Sequence, residues 1–172
     1  MAEVSPRKTQ LTRAAARAAI EGAFAQVFGR SPERHELAVL LAQSEHESGA
    51  WLAMWNFNFA GVKAYRPWVD QPGHDHVMLR TREGHGAETR EVREPFRAFA
   101  TAELGAADWL ATLNRYWPAA LGEARSGSPR GFVEALVRGA RKYFTGAPEA
   151  YAASVTRLFD RWMRDLPPRE AG

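Results

Sequence analysis

Proline, glycine and N-capping residues punctuate this chain at intervals that leave room for several helices and one extended interruption. Leu11 to Phe28 is alanine-rich, with Ile20, Phe24, Val27 and Phe28 at helical spacing before Gly29 stops it. Ser31-Pro32-Glu33 supplies a cap, a first-turn proline and an acid for the positive helix end, which predicts a second helix running to about Ser48 and ended by Gly49. Three later segments read as helices: Thr101 to Tyr116, closed by Pro118; Ser128 to Phe144, opened by Ser128-Pro129; and Pro148 to Leu166, ended by Pro167-Pro168. From Ala50 to Gly73 the aromatics and glycines keep no regular period, so a structured loop is expected there. Val77, Leu79, Thr81 and Glu83 alternate with Met78, Arg80 and Arg82; Gly84-His85-Gly86 then supplies a turn, and Glu88 to Phe96 a return strand ended by Pro95. The expectation is a mainly α (α+β) fold in a single domain spanning residues 1–172, with residues 1–10 and 167–172 as flexible ends.

Composition removes several chemistries. With 45% hydrophobic residues in 172, the chain can bury one real core and is short for two. The absence of cysteine excludes disulfides, thiol nucleophiles and cysteine-ligated zinc together, so packing alone must hold the fold. No apolar run is long enough to span a membrane, and charges interrupt the N-terminal residues where a secretory signal would need a continuous apolar stretch. A net charge of +3 suits an anionic partner but is too small to indicate nucleic acid.

The chemistry concentrates at Ala42 to Gly49, AQSEHESG, followed at once by the aromatic stretch Trp51 to Ala64. On a helical wheel Leu37, Leu40, Leu41, Ser44 and Ser48 form one stripe, and Glu45 and Glu47 fall on its opposite margins, so periodicity does not choose between the two acids. Both lie in the last turn, where free carbonyls and the negative end of the helix dipole disfavour an anion. Partial burial under Trp51, Trp55 or Phe59 would raise a carboxyl pKa further, toward the range a general acid needs at neutral pH. The hairpin alternation puts Glu83 on the side of Val77 and Leu79, where a carboxylate near the turn can point into a cleft.

AQSEHESG resembles the AQxxxESG signature of the bacterial glucosaminidase family of peptidoglycan hydrolases, and NFAGVKA at Asn58 to Ala64 is similar to that family's N-x-F-G-I-K-A loop. Thr81-Arg82-Glu83 matches its T-x-E, Phe96-Arg97-Ala98-Phe99 its F-R-x-Y with Phe99 in place of the tyrosine, and Tyr143-Phe144-Thr145 with Tyr151 its Tyr-x-Thr turn. The resemblance runs from about Pro32 to Trp162. It implies a lysozyme-like helical domain with a small β-hairpin lobe, the two forming a substrate cleft. It also implies endo-N-acetylglucosaminidase cleavage of β-1,4 bonds in the peptidoglycan glycan strand, without a cofactor. Glu47 takes the place of the catalytic acid, and Glu83, thirty-six positions on, that of the β-lobe carboxylate, with Glu88 and Glu91 as rivals. Tyr143 would contact the sugar near the bond being cut, and Trp55, Asn58 and Phe59 would line the site; Asn58 serves equally well as a tie for the loop backbone.

Muramidase and lytic transglycosylase chemistry fit the same scaffold, and a non-catalytic wall-binding module with a basic face at Arg80, Arg82, Arg90, Arg93 and Arg97 is a third class. A metal site drawn from His74, His76 and His85 has poor spacing, and His35-Glu36 lacks the second histidine of a zinc-protease helix, so no metal is expected. The implied partner is the glycan strand, acted on by a monomer. The protein is expected to be made in the cytoplasm and to act in the periplasm or wall after delivery by a phage, secretion or injection route, with a delivery apparatus or an immunity protein as further partners.

Overall fold

The computed structural model describes residues 2–66, 68–83, 90–139, 143, 144 and 147–168, leaving aside the side chains at 82 and 83. In chain order it contains β1 (Lys8–Thr9), α1 (Arg13–Phe28), α2 (Arg34–Glu47), β2 (Met54–Trp55), β3 (Asp75–Glu83), β4 (Arg90–Ala98), α3 (Ala102–Tyr116), α4 (Pro118–Arg125), α5 (Pro129–Arg138) and α6 (Pro148–Asp165). The strands make two antiparallel pairs, β1 with β2 and β3 with β4. The mainly helical fold is the one expected.

Helix starts follow the capping chemistry closely. The hydroxyls of Thr12, Thr101 and Ser128 accept from the backbone N–H of Ala15, Leu104 and Gly131, each satisfying a donor that the first helical turn leaves free. α2 departs from expectation: its cap is Glu33, not Ser31, in a reciprocal box with Glu36, whose carboxylate accepts from the Glu33 N–H at 3.0 Å. Arg30 grips the same buried carboxylate at 2.7 and 2.8 Å. Pro118 starts a helix instead of only closing one, since a first-turn proline loses no hydrogen bond. α5 stops at Arg138 with Gly139 as its cap, short of the expected Phe144.

α2 is the central helix. Every residue from Glu36 to Glu45 is buried, so the single apolar stripe expected from the helical wheel is replaced by burial on all sides. α6 packs along it, α1 packs on α3, and α4 and α5 close the bundle. Their apolar side chains form one contiguous core around Phe24, Leu40, Leu41, Trp109, Phe132 and Trp162.

Residues 2–10, expected to be loose, are bound into the sheets. Lys8 and Thr9 pair with Trp55 and Met54, the His76 N–H donates to Ala2, and the Val4 N–H donates to His76. A two-residue strand has no periodicity to read, which is why the sequence does not announce it. Pro95 lies inside β4, opposite Met78, and does not end it. Its carbonyl accepts from the Ala64 N–H, so its backbone faces the edge away from β3, where a missing N–H costs no ladder bond. The turn at Gly84-His85-Gly86, with Glu88, lies outside the described residues, as do residues 169–172.

Gly105 shows how closely α3 meets the loop that follows α2. A Cβ there would sit 1.9 Å from the carbonyl oxygen of Phe57. Gly105→Ala is therefore expected to cost about 1–3 kcal/mol through forced displacement of backbone. Urea denaturation checks it; an unchanged midpoint would mean that helix and loop are not in contact.

Candidate active site

The last turn of α2 delivers Glu47 to the floor of a cleft of about 660 Å³ between the helical body and the β3–β4 hairpin. Trp55, Asn58, Phe59 and Gly61 line it from the loop, Met78 to Thr81, Arg93 and Phe96 from the hairpin, and Pro6 from the N-terminal segment. Glu47 keeps solvent access, as a group that must reach a substrate requires.

The loop is held in a costly conformation. Gly49, Ala50 and Trp51 adopt three consecutive left-handed conformations with φ of 56°, 57° and 58°, and Asn56 and Phe57 follow at 47° and 52°. Each non-glycine member costs about 1–2 kcal/mol. The compensation is visible in the bonds. Trp51 is fully buried, and its Nε1 donates to Ser44 Oγ at 2.9 Å. Ser48 Oγ accepts from the Trp51 N–H at 2.9 Å and donates to the Ser44 carbonyl at 2.6 Å. Asn56 Oδ1 accepts from the Arg7 N–H, and the Phe57 N–H donates to Thr9 Oγ1, so the N-terminal segment braces the same loop.

The two acids of AQSEHESG have separate environments. Glu45 is buried; it accepts from Trp162 Nε1 at 2.8 Å and from Arg161 on α6, and it does not line the cleft. Glu47 accepts from the hydroxyl of Tyr151. That hydroxyl in turn accepts from Gln43 Nε2 at 3.1 Å, and the same amide donates to the Tyr143 hydroxyl at 3.0 Å. Gln43 precedes Glu47 by four residues, one helical turn, which puts both on one face of α2. His46 bonds Ser154 at 3.0 Å and sits edge-on to the Tyr151 ring at 4.5 Å.

Desolvation pushes the Glu47 carboxyl above its ordinary pKa, against smaller opposing contributions from the Tyr151 hydrogen bond and the charge of His46. Burial, and after it the charge of Glu47, pushes both tyrosine hydroxyls far above the usual phenol range. Tyr151 is thus a hydrogen-bond donor at any working pH, and it fixes Oε1 of Glu47 while the second oxygen is left for a proton. Because this bond favours the ionised carboxylate, Tyr151→Phe is expected to raise the Glu47 pKa. The alkaline limb of kcat/KM should then move to higher pH; a limb that stays in place or moves down contradicts the bond.

The other expected site residues divide. Trp55 is 39% exposed and lines the cleft, offering a flat face to a sugar. Phe59 is buried and stacked on Trp109 at 6.3 Å, so only its margin reaches the cleft. Asn58 spends both amide hydrogens on the carbonyls of Val62 and Arg97, at 2.9 and 3.0 Å, and its oxygen accepts from the Val62 N–H at 2.9 Å. Its observed bonds tie the loop, leaving little for a substrate. Tyr143 packs edge-on to Trp117 at 5.0 Å and meets Glu47 only through Gln43 and Tyr151. The tyrosine in direct contact with Glu47 is Tyr151, whereas Tyr143 was expected to touch the sugar; Gln43 and His46 stand in the AQSEHESG motif but had been given no role.

On the hairpin, Glu83 ends β3 in register with Arg90, two residues beyond the cleft-lining Thr81. Glu91 accepts from Arg80 at 3.1 Å. Arg97 leaves the expected basic face: it is half-buried, bonded to Asp108 on α3 at 2.7 and 2.9 Å and laid over Trp68. His74 stacks on Trp68 at 3.8 Å, and His85 lies outside the described residues. Among the described residues no three His, Cys, Asp or Glu side chains gather as a metal site would require.

No protein-family model and no curated protein sequence matches the chain. Solved structures do. A truncated glycoside hydrolase domain of FlgJ from Salmonella typhimurium aligns over 90% of this chain and 96% of its own, with a TM-score of 0.60 at 19% identity. A peptidoglycan hydrolase mutant from Sphingomonas sp. A1 aligns over 88% and 94%, with a TM-score of 0.63 at 22% identity. The fold is the one these hydrolase domains share. The catalytic domain of the autolysin Auto from Listeria monocytogenes has it too, with a TM-score of 0.60 at 17% identity over 87% of this chain and 81% of its own. The lysozyme-like architecture implied by the sequence motifs is thus the architecture found. At such identities the likeness is carried by backbone and core pattern, which is where the motif residues Gln43, Ser48, Asn58 and Gly61 have their structural roles.

Proposed function

We propose that this protein is a peptidoglycan hydrolase that cleaves β-1,4 bonds of the glycan strand, with Glu47 as general acid. The observation that carries the reading is the Glu47 carboxyl itself. It stands at the floor of a cleft, has a pKa raised by desolvation, and is oriented by a tyrosine hydroxyl that cannot ionise. The neighbours described as glycoside and peptidoglycan hydrolases support the same reading.

In the proposed reaction the strand lies across Trp55 with a glycosidic oxygen above Glu47. The carboxylic acid gives its proton to that oxygen as the bond to the anomeric carbon breaks. The leaving sugar departs as an alcohol, positive charge develops on the ring, and Glu47 is left as a carboxylate facing it. What then fills the anomeric position decides the product. Water delivered by a second carboxylate, for which we propose Glu83, gives a reducing end. The substrate's own acetamido oxygen can precede water, and an internal hydroxyl gives an anhydro sugar. N-acetylglucosaminidase specificity is the form proposed here, acting as a monomer on wall material reached by a delivery route.

Mass spectrometry of purified peptidoglycan after digestion tests this. Reducing-end N-acetylglucosamine is expected; reducing-end N-acetylmuramic acid or an anhydro product would replace the specificity, and no fragment release would overturn the reading.

A further inference from the structure

The register of the hairpin places Arg80 and Arg93 directly opposite one another, and both line the cleft. Like charges in directly opposed positions of an antiparallel pair repel and weaken the pairing. Packing does not demand arginine at either position: the Arg80 side chain is 78% exposed, and Arg93 is exposed as well. Among the described residues Arg80 has one partner, the exposed Glu91, and Arg93 has no hydrogen bond or ion pair. Across from them Glu47 is the only carboxylate lining the cleft among the described side chains. A pair of guanidinium groups on one wall, in a narrow cleft with apolar Met78, Leu79 and Phe96 beside it, produces a local positive field and leaves planar donor sets unspent.

We infer that Arg80 and Arg93 form an anion site for carboxylates carried on the glycan strand. The inference rests on the glycan-cleaving reading above and adds a substrate preference to it. A plain polymer of acetamido sugars is neutral and gives the two guanidinium groups nothing to pair with. A peptidoglycan strand carries carboxylates on its stem peptides, and on its lactyl groups once the peptides are removed. Binding such a group between the arginines relieves their repulsion and exchanges it for charge-assisted, fork-shaped hydrogen bonds. The site therefore favours wall glycan over neutral polymers with the same linkage.

The test uses the Glu47→Gln protein, so that affinity is read without turnover, and compares it with the same protein carrying Arg80→Gln and Arg93→Gln. Calorimetry measures binding to three soluble probes of equal sugar length: a peptide-bearing peptidoglycan fragment, the same fragment stripped of peptides by an amidase, and a neutral chitooligosaccharide. Removal of two exposed charge contacts is expected to weaken binding of carboxylate-bearing probes about three- to tenfold and to leave the neutral probe unchanged. Lysine at both positions should restore only part of the affinity, because it returns the charge without the fork-shaped donor set. Loss confined to the peptide-bearing fragment assigns the site to stem carboxylates, loss confined to the stripped fragment assigns it to the lactyl group, and loss on both means that the site takes either carboxylate. Unchanged binding of both carboxylate-bearing probes overturns the inference, and so does an equal loss on the neutral one. These outcomes do not depend on activity, so a wild-type protein that releases no fragments would sink the proposed reaction without deciding the anion site.

Discussion

Glu47→Gln is expected to lower kcat/KM on purified peptidoglycan by about 10²–10⁴, the usual contribution of a positioned general acid. The amide keeps the shape of the side chain and still accepts from Tyr151, so the change isolates the proton. It should also leave the protein more stable at neutral pH. The folded carboxyl has a pKa above its ordinary value of 4.5, so the folded state binds that proton more tightly than the unfolded chain. Stability from this group is then full below pH 4.5 and is lost as pH rises through the folded-state value. A permanently neutral glutamine avoids the loss. Thermal melts should show the variant above the parent at pH 7, with the gap closing toward pH 4. A variant that melts lower at pH 7 and at pH 4 alike would mean that the carboxyl is structural.

The second large effect is expected two residues away and in the other quantity. Glu45→Ala removes the acceptor for Trp162 Nε1 and for Arg161, joining α2 to α6. Taking one partner from a buried ion pair costs about 3–5 kcal/mol, and the 41% exposure of Arg161 lets water recover part of it, so about 2–3 kcal/mol is expected. Below the melting transition, the pH dependence of cleavage should be that of the parent, because Glu45 does not line the cleft. If the pH profile moves while stability holds, the roles of the two acids are reversed.

These two residues show what the sequence could and could not tell. They stand on opposite margins of the stripe that a helical wheel draws, so the wheel ranks neither above the other. α2 is buried all round, so periodicity carried no information there and motif register alone favoured Glu47. Helix starts at Thr101 and Ser128 were readable because capping is local chemistry, complete within four residues. α4 was hidden because a proline ends one helix and opens the next with the same residue. Arg97 looked like a surface charge because its partner, Asp108, is on another element, and Asn58 looked equally like a binding residue and a loop tie until its carbonyl partners were known. Tyr151 could be placed in the last helix but not against Glu47, since that contact spans 104 positions of sequence.

The most direct measurement is the titration of the Glu47 carboxyl by carbon-13 NMR, set beside the pH dependence of kcat/KM on a soluble peptidoglycan fragment. Assignment comes from the signal lost in Glu47→Gln. The expected result is a carboxyl that titrates above 4.5, at the same pH as the alkaline limb of the rate. A Glu47 that is fully ionised below that value while cleavage proceeds undiminished at neutral pH would contradict its role as the proton donor.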